Sequence, residues 1–329
     1  MQKKTVAFSR NASNLFFHIL TRCNLSCSHC YINRAQHGNQ TLDIQTIKNW
    51  LALFAGENTN VIFLGGEPTL HPDLSLAVKE ARRLQFNSIT IDTNGFLFHN
   101  ILDKIIPEDI DFLSFSLDGA TKETNDRLRG KGCFDAVMSG LERAQKKGFS
   151  CSMIYTVSEK NIHELEQMPG LVKNLGLERF FIQVIGLRGE SGENKGSQQV
   201  TKDIWMETIP RVAETIAHQG ITVTYPKVFL EPGEEFLCAG NVAQNYFVFP
   251  NGRVYQCPLC EDHPLHSYTI IENRLAPCPP LTERELFGLS IPEGCVMNKL
   301  IQPGNLAYDR QGNPIHQIAC CMLKEEVSP

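Results

Sequence analysis

The sequence predicts an α/β protein: a partial (β/α)6 TIM-like barrel followed by a small Cys-rich α+β domain. Three observations predict it. Short apolar runs alternate with helical stripes along the first two thirds of the chain. Glycine-rich and polar signals fall just past those runs, at one end of the implied sheet. The last third loses that periodicity and gains cysteines, seven of them after residue 237. Alternation of strand and helix implies a parallel sheet with right-handed crossovers. A flavodoxin-like open sheet is the rival arrangement.

The elements follow in order. Leu15-Phe16-Phe17-His18-Ile19-Leu20 is the first strand. Ile44, Ile47, Leu51 and Phe54 form a helical stripe, with Asp43 near its start, where a carboxylate helps. Val61-Ile62-Phe63-Leu64 is apolar on both faces, as strands of covered parallel sheets are. Residues 73–84 read as a helix, 88–92 as a strand, 101–106 as a short helix and 112–117 as a strand. A helix over 134–147 ends before Gly148. A strand over 151–157, a helix over 162–175 and a strand over 180–185 complete six units. Residues 187–200 are polar and glycine-rich, either a mobile lid or a surface insertion. A helix over 205–218 and a strand over 221–225 precede a linker, so a boundary near 230 divides the chain into 1–230 and 231–329. In the tail, Asn251-Gly252 between apolar runs marks a hairpin that delivers Cys257.

Composition narrows the function. The chain has 329 residues, 42% hydrophobic, enough for a large buried core. Net charge is −5 and no basic run points to nucleic acid. No apolar run approaches a membrane span or a signal peptide, so the expected location is cytoplasmic. Twelve cysteines in such a chain point to metal or catalysis rather than disulfides. Cys133 and Cys151 read as small buried hydrophobes.

Cys23, Cys27 and Cys30 sit at spacing C-x3-C-x2-C just past the first strand. A loop can wrap three thiolates around one small object, and thiolates suit iron–sulfur clusters or zinc. Three ligands without a near fourth suggest a four-iron cluster with one iron open to a small molecule. Structural zinc needs four ligands, and His29, adjacent to Cys30, reaches the same ion awkwardly. Gly65-Gly66-Glu67-Pro68 follows the second strand, where glycines permit close backbone approach and Glu67 can accept from an ammonium group.

Together, these motifs resemble the radical S-adenosylmethionine (SAM) enzymes, over residues from about 13 to 190. The resemblance implies a [4Fe-4S] cluster on Cys23, Cys27 and Cys30. It implies SAM chelated at the open iron and cleaved reductively to a 5′-deoxyadenosyl radical that abstracts hydrogen from substrate. By the same resemblance Gly65, Gly66, Glu67 and Pro68 meet the SAM ammonium group. Asn94 and Ser116 meet the ribose, Ser116 having the carboxylate as its other candidate. Arg129 meets the SAM carboxylate, Tyr31 packs on the adenine, and Thr156 and Gly186 complete the pocket. The plain alternatives are a turn at Asn94-Gly95, a surface arginine at Arg129 and a helix cap at Asp118. The tail resembles part of the SPASM/twitch extension, through Cys238 and Gly252-Arg253-Val254-Tyr255-Gln256-Cys257. That implies one auxiliary cluster, expected to be [4Fe-4S], with Cys238 and Cys257 as the best ligands and the others drawn from Cys260, Cys278, Cys295, Cys320 and Cys321, of which Cys260, Cys295 and Cys320 are favoured. Zinc is its rival, since Cys257-Pro258-Leu259-Cys260 also suits that ion. Adjacent Cys320 and Cys321 would point apart in an extended strand, so one of the pair is expected to ligate.

The expected partners are a peptide or small-molecule substrate and an electron donor such as flavodoxin or ferredoxin, with no nucleic acid or membrane. Only ~15 residues precede the first strand, too few for a peptide-recognition domain. A non-catalytic iron–sulfur carrier or assembly scaffold is the alternative function.

Overall fold

The computed structural model describes residues 2–6, 13–193, 198–278 and 280–329. Among these, thirteen strands form one sheet. They are β1 Gln2–Val6, β2 Ser13–His18, β3 Thr59–Leu64, β4 Ser88–Thr93, β5 Phe112–Ser116, β6 Cys151–Val157 and β7 Arg179–Val184. Then come β8 Thr222–Pro226, β9 Gln244–Val248, β10 Arg253–Tyr255, β11 Tyr268–Ile271, β12 Arg274–Pro277 and β13 Lys324–Ser328. The order is β1-β13-β8-β7-β6-β5-β4-β3-β2-β9-β10-β11-β12. Strands from β9 through β2 to β8 are parallel, and the outer ones pair antiparallel.

The six expected units are present as β2 to β7, and the parallel α/β sheet is the one expected. The barrel is not: the sheet stays open and ends at edge strands β1 and β12. Strand β9 of the tail extends the parallel sheet beside β2. Two contacts dictate that placement. Phe16 stacks on Phe247 at 4.5 Å, and an asparagine ladder runs from Asn245 through Asn14 and Asn60 to Asn87, with links of 2.9, 2.9 and 2.7 Å. Strand β13 returns the end of the chain to β8.

Alternation along the strands gives the sheet two unlike faces. Leu15, Phe17, Val61, Phe63, Ile89, Ile91, Leu113, Phe115, Met153 and Phe180 are wholly buried or nearly so. They form one core cluster with Ile47, Val78, Val137, Val172 and Ile209 of the helices Ile44–Phe54, Leu74–Arg83, Cys133–Lys146, Met168–Asn174 and Lys202–Ala217. Burying each large aliphatic side chain there stabilises by about 1.5–3 kcal/mol. The opposite face carries half-buried residues such as Phe16, Ile62, Asp92, Ser116 and Ile154. Asp43 caps its helix by accepting from Thr46 N at 2.9 Å. One helix, Lys122–Arg129, was not anticipated, because its eight residues are almost all polar and carry no apolar stripe. No helix among the described residues is long and apolar enough to cross a membrane.

Candidate functional site

The three cysteines lie on the loop that leaves β2, half-buried. Two braces hold that loop. The first is the Gly-Gly-Glu-Pro turn. Gly66 N donates to Leu20 O and Glu67 N to Arg22 O, both at 3.0 Å. A Cβ on Gly66 would sit 2.3 Å from Arg22 O, and one on Gly65 would sit 2.6 Å from Leu20 O. The neighbouring backbone by itself therefore requires glycine at both positions. Glu67 is 1% exposed and fully engaged. Its Oε1 accepts from Thr69 N, Thr69 Oγ1 and Thr93 Oγ1, and its Oε2 from Asn94 N at 2.8 Å. It braces the end of β4, with three of the four bonds on Oε1 and one on Oε2. Pro68 starts the short 3₁₀ turn that follows.

The second brace centres on Asp118, which is no helix cap; Thr121 fills that role. Asp118 is completely buried. Its Oδ2 lies 2.9 Å from His29 Nε2 and 2.6 Å from Arg129 Nε, and its Oδ1 accepts from Thr156 N at 2.7 Å. Burial pushes the carboxyl up, but the Arg129 guanidinium, helped by His29, holds it well below the usual carboxylate range. The helix Lys122–Arg129 meanwhile offers its terminal carbonyls to the loop. Leu128 O accepts from Ser28 N at 3.0 Å, and Arg129 O lies 3.6 Å from Cys27 Sγ. Helix C-terminal carbonyls have no intrahelical partner, so the cysteine loop satisfies them.

Of the remaining predicted residues, Asn94 lies against this loop and Tyr31 is on it. Asn94 Nδ2 donates to Asn24 Oδ1 at 2.7 Å and lies 3.8 Å from Cys23 Sγ. Tyr31 OH meets His18 Nε2 at 2.7 Å, and the Arg188 guanidinium sits 4.7 Å over the Tyr31 ring. Gly186 O accepts from Ser191 Oγ at 2.6 Å in a tight turn after β7, while Ser116 ends β5 half-buried. Burial raises the Cys23 thiol to about 11 and the Cys27 thiol to about 12; the neighbouring cysteines add to both shifts.

The segment read as either a mobile lid or a surface insertion is pinned for its first half. Glu190 N donates to Cys30 O at 2.9 Å, Gly189 N to Asp262 Oδ2 at 2.9 Å, and Leu187 N to Gln302 Oε1 at 2.8 Å. Arg188 reaches Pro258 O and forms an ion pair with buried Glu261. It thus connects the cysteine loop to the tail's Cys257–Cys260 turn. Residues 194–197 of that segment lie outside the described residues.

In the tail, six thiols converge. Burial, with Cys320, Cys257 and Cys295 close by, raises the Cys238 thiol well above its usual value. Cys295 rises to about 12 by burial and the charges of Cys320 and Cys257. Cys257, Cys260 and Glu283 bring their ligand atoms within 4.8 Å of one another. All five predicted tail residues are therefore in one place. Cys321 joins them, because it and Cys320 lie in a turn before β13 and not in the extended strand that would separate their side chains. Cys278 is elsewhere, 3.2 Å from Thr269 Oγ1. Sequence reasoning missed Glu283, which accepts from Gln256 N, Cys257 N and Ser267 Oγ. It also missed Asp118 as a hub. Neither lies in a motif whose spacing would signal it. Cys133 and Cys151 are buried in the core as expected.

The comparisons agree with this geometry. Residues 17–172 match the family model described as the radical SAM superfamily. The Fe-coproporphyrin III synthase of Methanosarcina barkeri is 29% identical over 206 residues, 61% of this chain and 49% of that one. The pre-heme d1 synthase of Dinoroseobacter shibae is 26% identical over 193 residues, covering 55% and 46%. A probable GTP 3′,8-cyclase of Saccharolobus islandicus is 27% identical over 177 residues, covering 53% and 58%. The chain thus spans about half the length of the curated relatives it matches. By fold it is similar to Streptococcus suis SuiB bound to S-adenosylmethionine, with a TM-score of 0.67 at 17% identity over 89% of this chain and 72% of that one. It is also similar to anSMEcpe with bound AdoMet, with a TM-score of 0.59 at 16% identity over 88% and 82%. The C-x3-C-x2-C loop at the carboxyl end of a parallel sheet and the family match coincide: residues 17–172 of this chain are a radical SAM domain.

Proposed function

We propose that this chain is an enzyme that cleaves SAM reductively at a [4Fe-4S] cluster held by Cys23, Cys27 and Cys30. One observation carries the reading: the thiols of a doubly braced loop stand at the carboxyl ends of the parallel strands. The donor set fits the cluster. Three soft thiolates lie on one loop, and His29, directly before Cys30 in sequence, has Nε2 2.9 Å from Asp118. That favours a four-iron cluster with an open iron over a four-ligand zinc site. When bound, cluster and SAM supply a 5′-deoxyadenosyl radical that takes a hydrogen atom from substrate.

The chain's own residues bind and orient. Tyr31 on the loop, Asn94 beside it, and Ser116, Thr156 and Gly186 at or near the carboxyl ends of β5, β6 and β7 would hold the adenosine. Gly65, Gly66, Glu67 and Pro68 fix the loop's height above the sheet. Arg129, with Nε turned to Asp118, has the rest of its fork for the SAM carboxylate.

In the tail, beyond a functional boundary near residue 230, we assign an auxiliary iron–sulfur cluster to four of the six converging thiols. Cys238 and Cys295 both feel the charges of Cys257 and Cys320, with Cys260 beside Cys257 and Cys321 beside Cys320. The substrate is a peptide or a small molecule: SuiB has been solved with its precursor peptide SuiA, and the curated relatives are named as synthases of small molecules. A flavodoxin or ferredoxin would supply the electron. A carrier role gains no support, since the relatives are named synthases and a cyclase.

The test is anaerobic reconstitution with iron and sulfide, reduction with dithionite, addition of SAM and detection of 5′-deoxyadenosine by mass spectrometry. The product should form with the native chain and disappear in Cys27→Ala. A preparation carrying both clusters and yielding none with any peptide or metabolite tried would contradict the reading.

A further inference from the structure

The face of the sheet opposite the helix layer holds a row of three neighbouring polar side chains that the SAM site leaves unused, with Arg179 of β7 next in register beyond them. Asp92 on β4, Ser114 on β5 and Ser152 on β6 stand side by side in register. Their direction follows from strand alternation. Ile91, Leu113, Phe115, Cys151 and Met153, their chain neighbours, are buried in the core under the helices, so these three project from the opposite face. Ser114 and Ser152 are 2% and 1% exposed; the Ser152 hydroxyl has no hydrogen-bond partner, and the Ser114 hydroxyl faces only Asp92. Buried polar groups left unpaired cost free energy, and such groups in a native fold call for an explanation. Burial pushes the Asp92 carboxyl up to about 7; the Ser114 hydroxyl beside it opposes that and the Glu67 charge adds to it. Asp92 is also within electrostatic reach of Tyr31 on the cysteine loop. Two residues further on, Asn94 touches that loop.

We propose that Asp92, Ser114 and Ser152 form the substrate subsite of this enzyme and that it receives a primary ammonium group. This rests on the SAM-cleaving reading, because the subsite lies at the base of the loop where a substrate would meet the radical. The chemistry favours a cation. Three N–H donors match one carboxylate and two hydroxyl oxygens, and the positive charge offsets the desolvation of Asp92. A carboxylate or phosphate would be repelled by Asp92 and by the nearby Glu67. A neutral hydroxyl would make one or two of the bonds without offsetting the charge.

The test uses the reconstituted protein with SAM and two probes, N-acetyl-lysine methylamide and the same compound acetylated at Nζ, titrated by calorimetry. The amine should bind about tenfold more tightly than its acetylated form. That preference should shrink to within about twofold in Asp92→Asn, and Ser152→Ala should weaken the amine by about threefold. Iron content and the unfolding midpoint are measured on each variant, so a misfolded Asp92→Asn is replaced by Ser152→Ala as the deciding variant. Equal affinity of the two probes, no measurable binding of either, or an unchanged preference in the folded variants would overturn the subsite. Production of 5′-deoxyadenosine by the native chain is scored separately, so loss of the SAM-cleaving reading is distinguished from loss of the subsite.

Discussion

The two groups of cysteines are built in opposite ways. The first lies within eight residues of sequence, on one loop, held by the ends of β2, β3, β4 and β5. The second is collected from positions 238 to 321, on two short helix starts, a hairpin end and a turn before β13. The loop group borrows its rigidity from a parallel sheet that is already folded. The tail group sits where regular structure is sparse, so a bound cluster would contribute folding free energy there directly. Local spacing can announce the first kind of site; only tertiary structure announces the second.

Breaking either group should separate them. Cys27→Ala should abolish 5′-deoxyadenosine formation and remove roughly four of about eight irons while leaving the tail's cluster. Cys320→Ala should remove the other four and lower the unfolding midpoint, read by circular dichroism, much more than Cys27→Ala does. Next in size is the Asp118 brace. Asp118→Asn leaves buried Arg129 without its countercharge, a loss of about 3–5 kcal/mol seen in chemical denaturation. Its pH dependence has a definite sign. The folded carboxyl titrates below the unfolded one, so its contribution is full above about pH 4 and is lost as pH falls further. The variant should therefore lose less stability than the native chain between about pH 4 and pH 2. Gly66→Ala sharpens the comparison from the backbone side. Its Cβ meets the Arg22 carbonyl, so it should cost about 1–3 kcal/mol and reduce iron at the loop cluster alone. Cys278→Ser should be the smallest effect, within about 0.5 kcal/mol and with no iron lost, because Cys278 stands apart from the converging thiols.

Much of this was legible in the sequence. Apolar runs and helical stripes gave β2 to β7 and their helices, because burial under a helix layer imposes a pattern on each strand. The three loop cysteines and the glycine turn were legible because their spacing is local. Three things were not. The junction of β9 with β2 depends on Asn14 meeting Asn245 and Phe16 meeting Phe247, pairs more than 200 residues apart. The helix ending at Arg129 is polar along its length and is held by Thr121, Glu164 and Asp118 instead of by an apolar face. The bracing role of Glu67 was hidden because nothing local shows that Thr69, Thr93 and Asn94 donate to its carboxylate.

The most direct measurement is the iron and sulfide content of three reconstituted proteins: the native chain, the triple variant Cys23→Ala/Cys27→Ala/Cys30→Ala, and the quadruple variant Cys238→Ala/Cys257→Ala/Cys295→Ala/Cys320→Ala. Two independent clusters predict about eight, four and four irons per chain, with Mössbauer spectra of the two variants adding up to that of the native chain. Zinc in place of iron, or loss of all iron in the triple variant while its fold persists, would contradict the account.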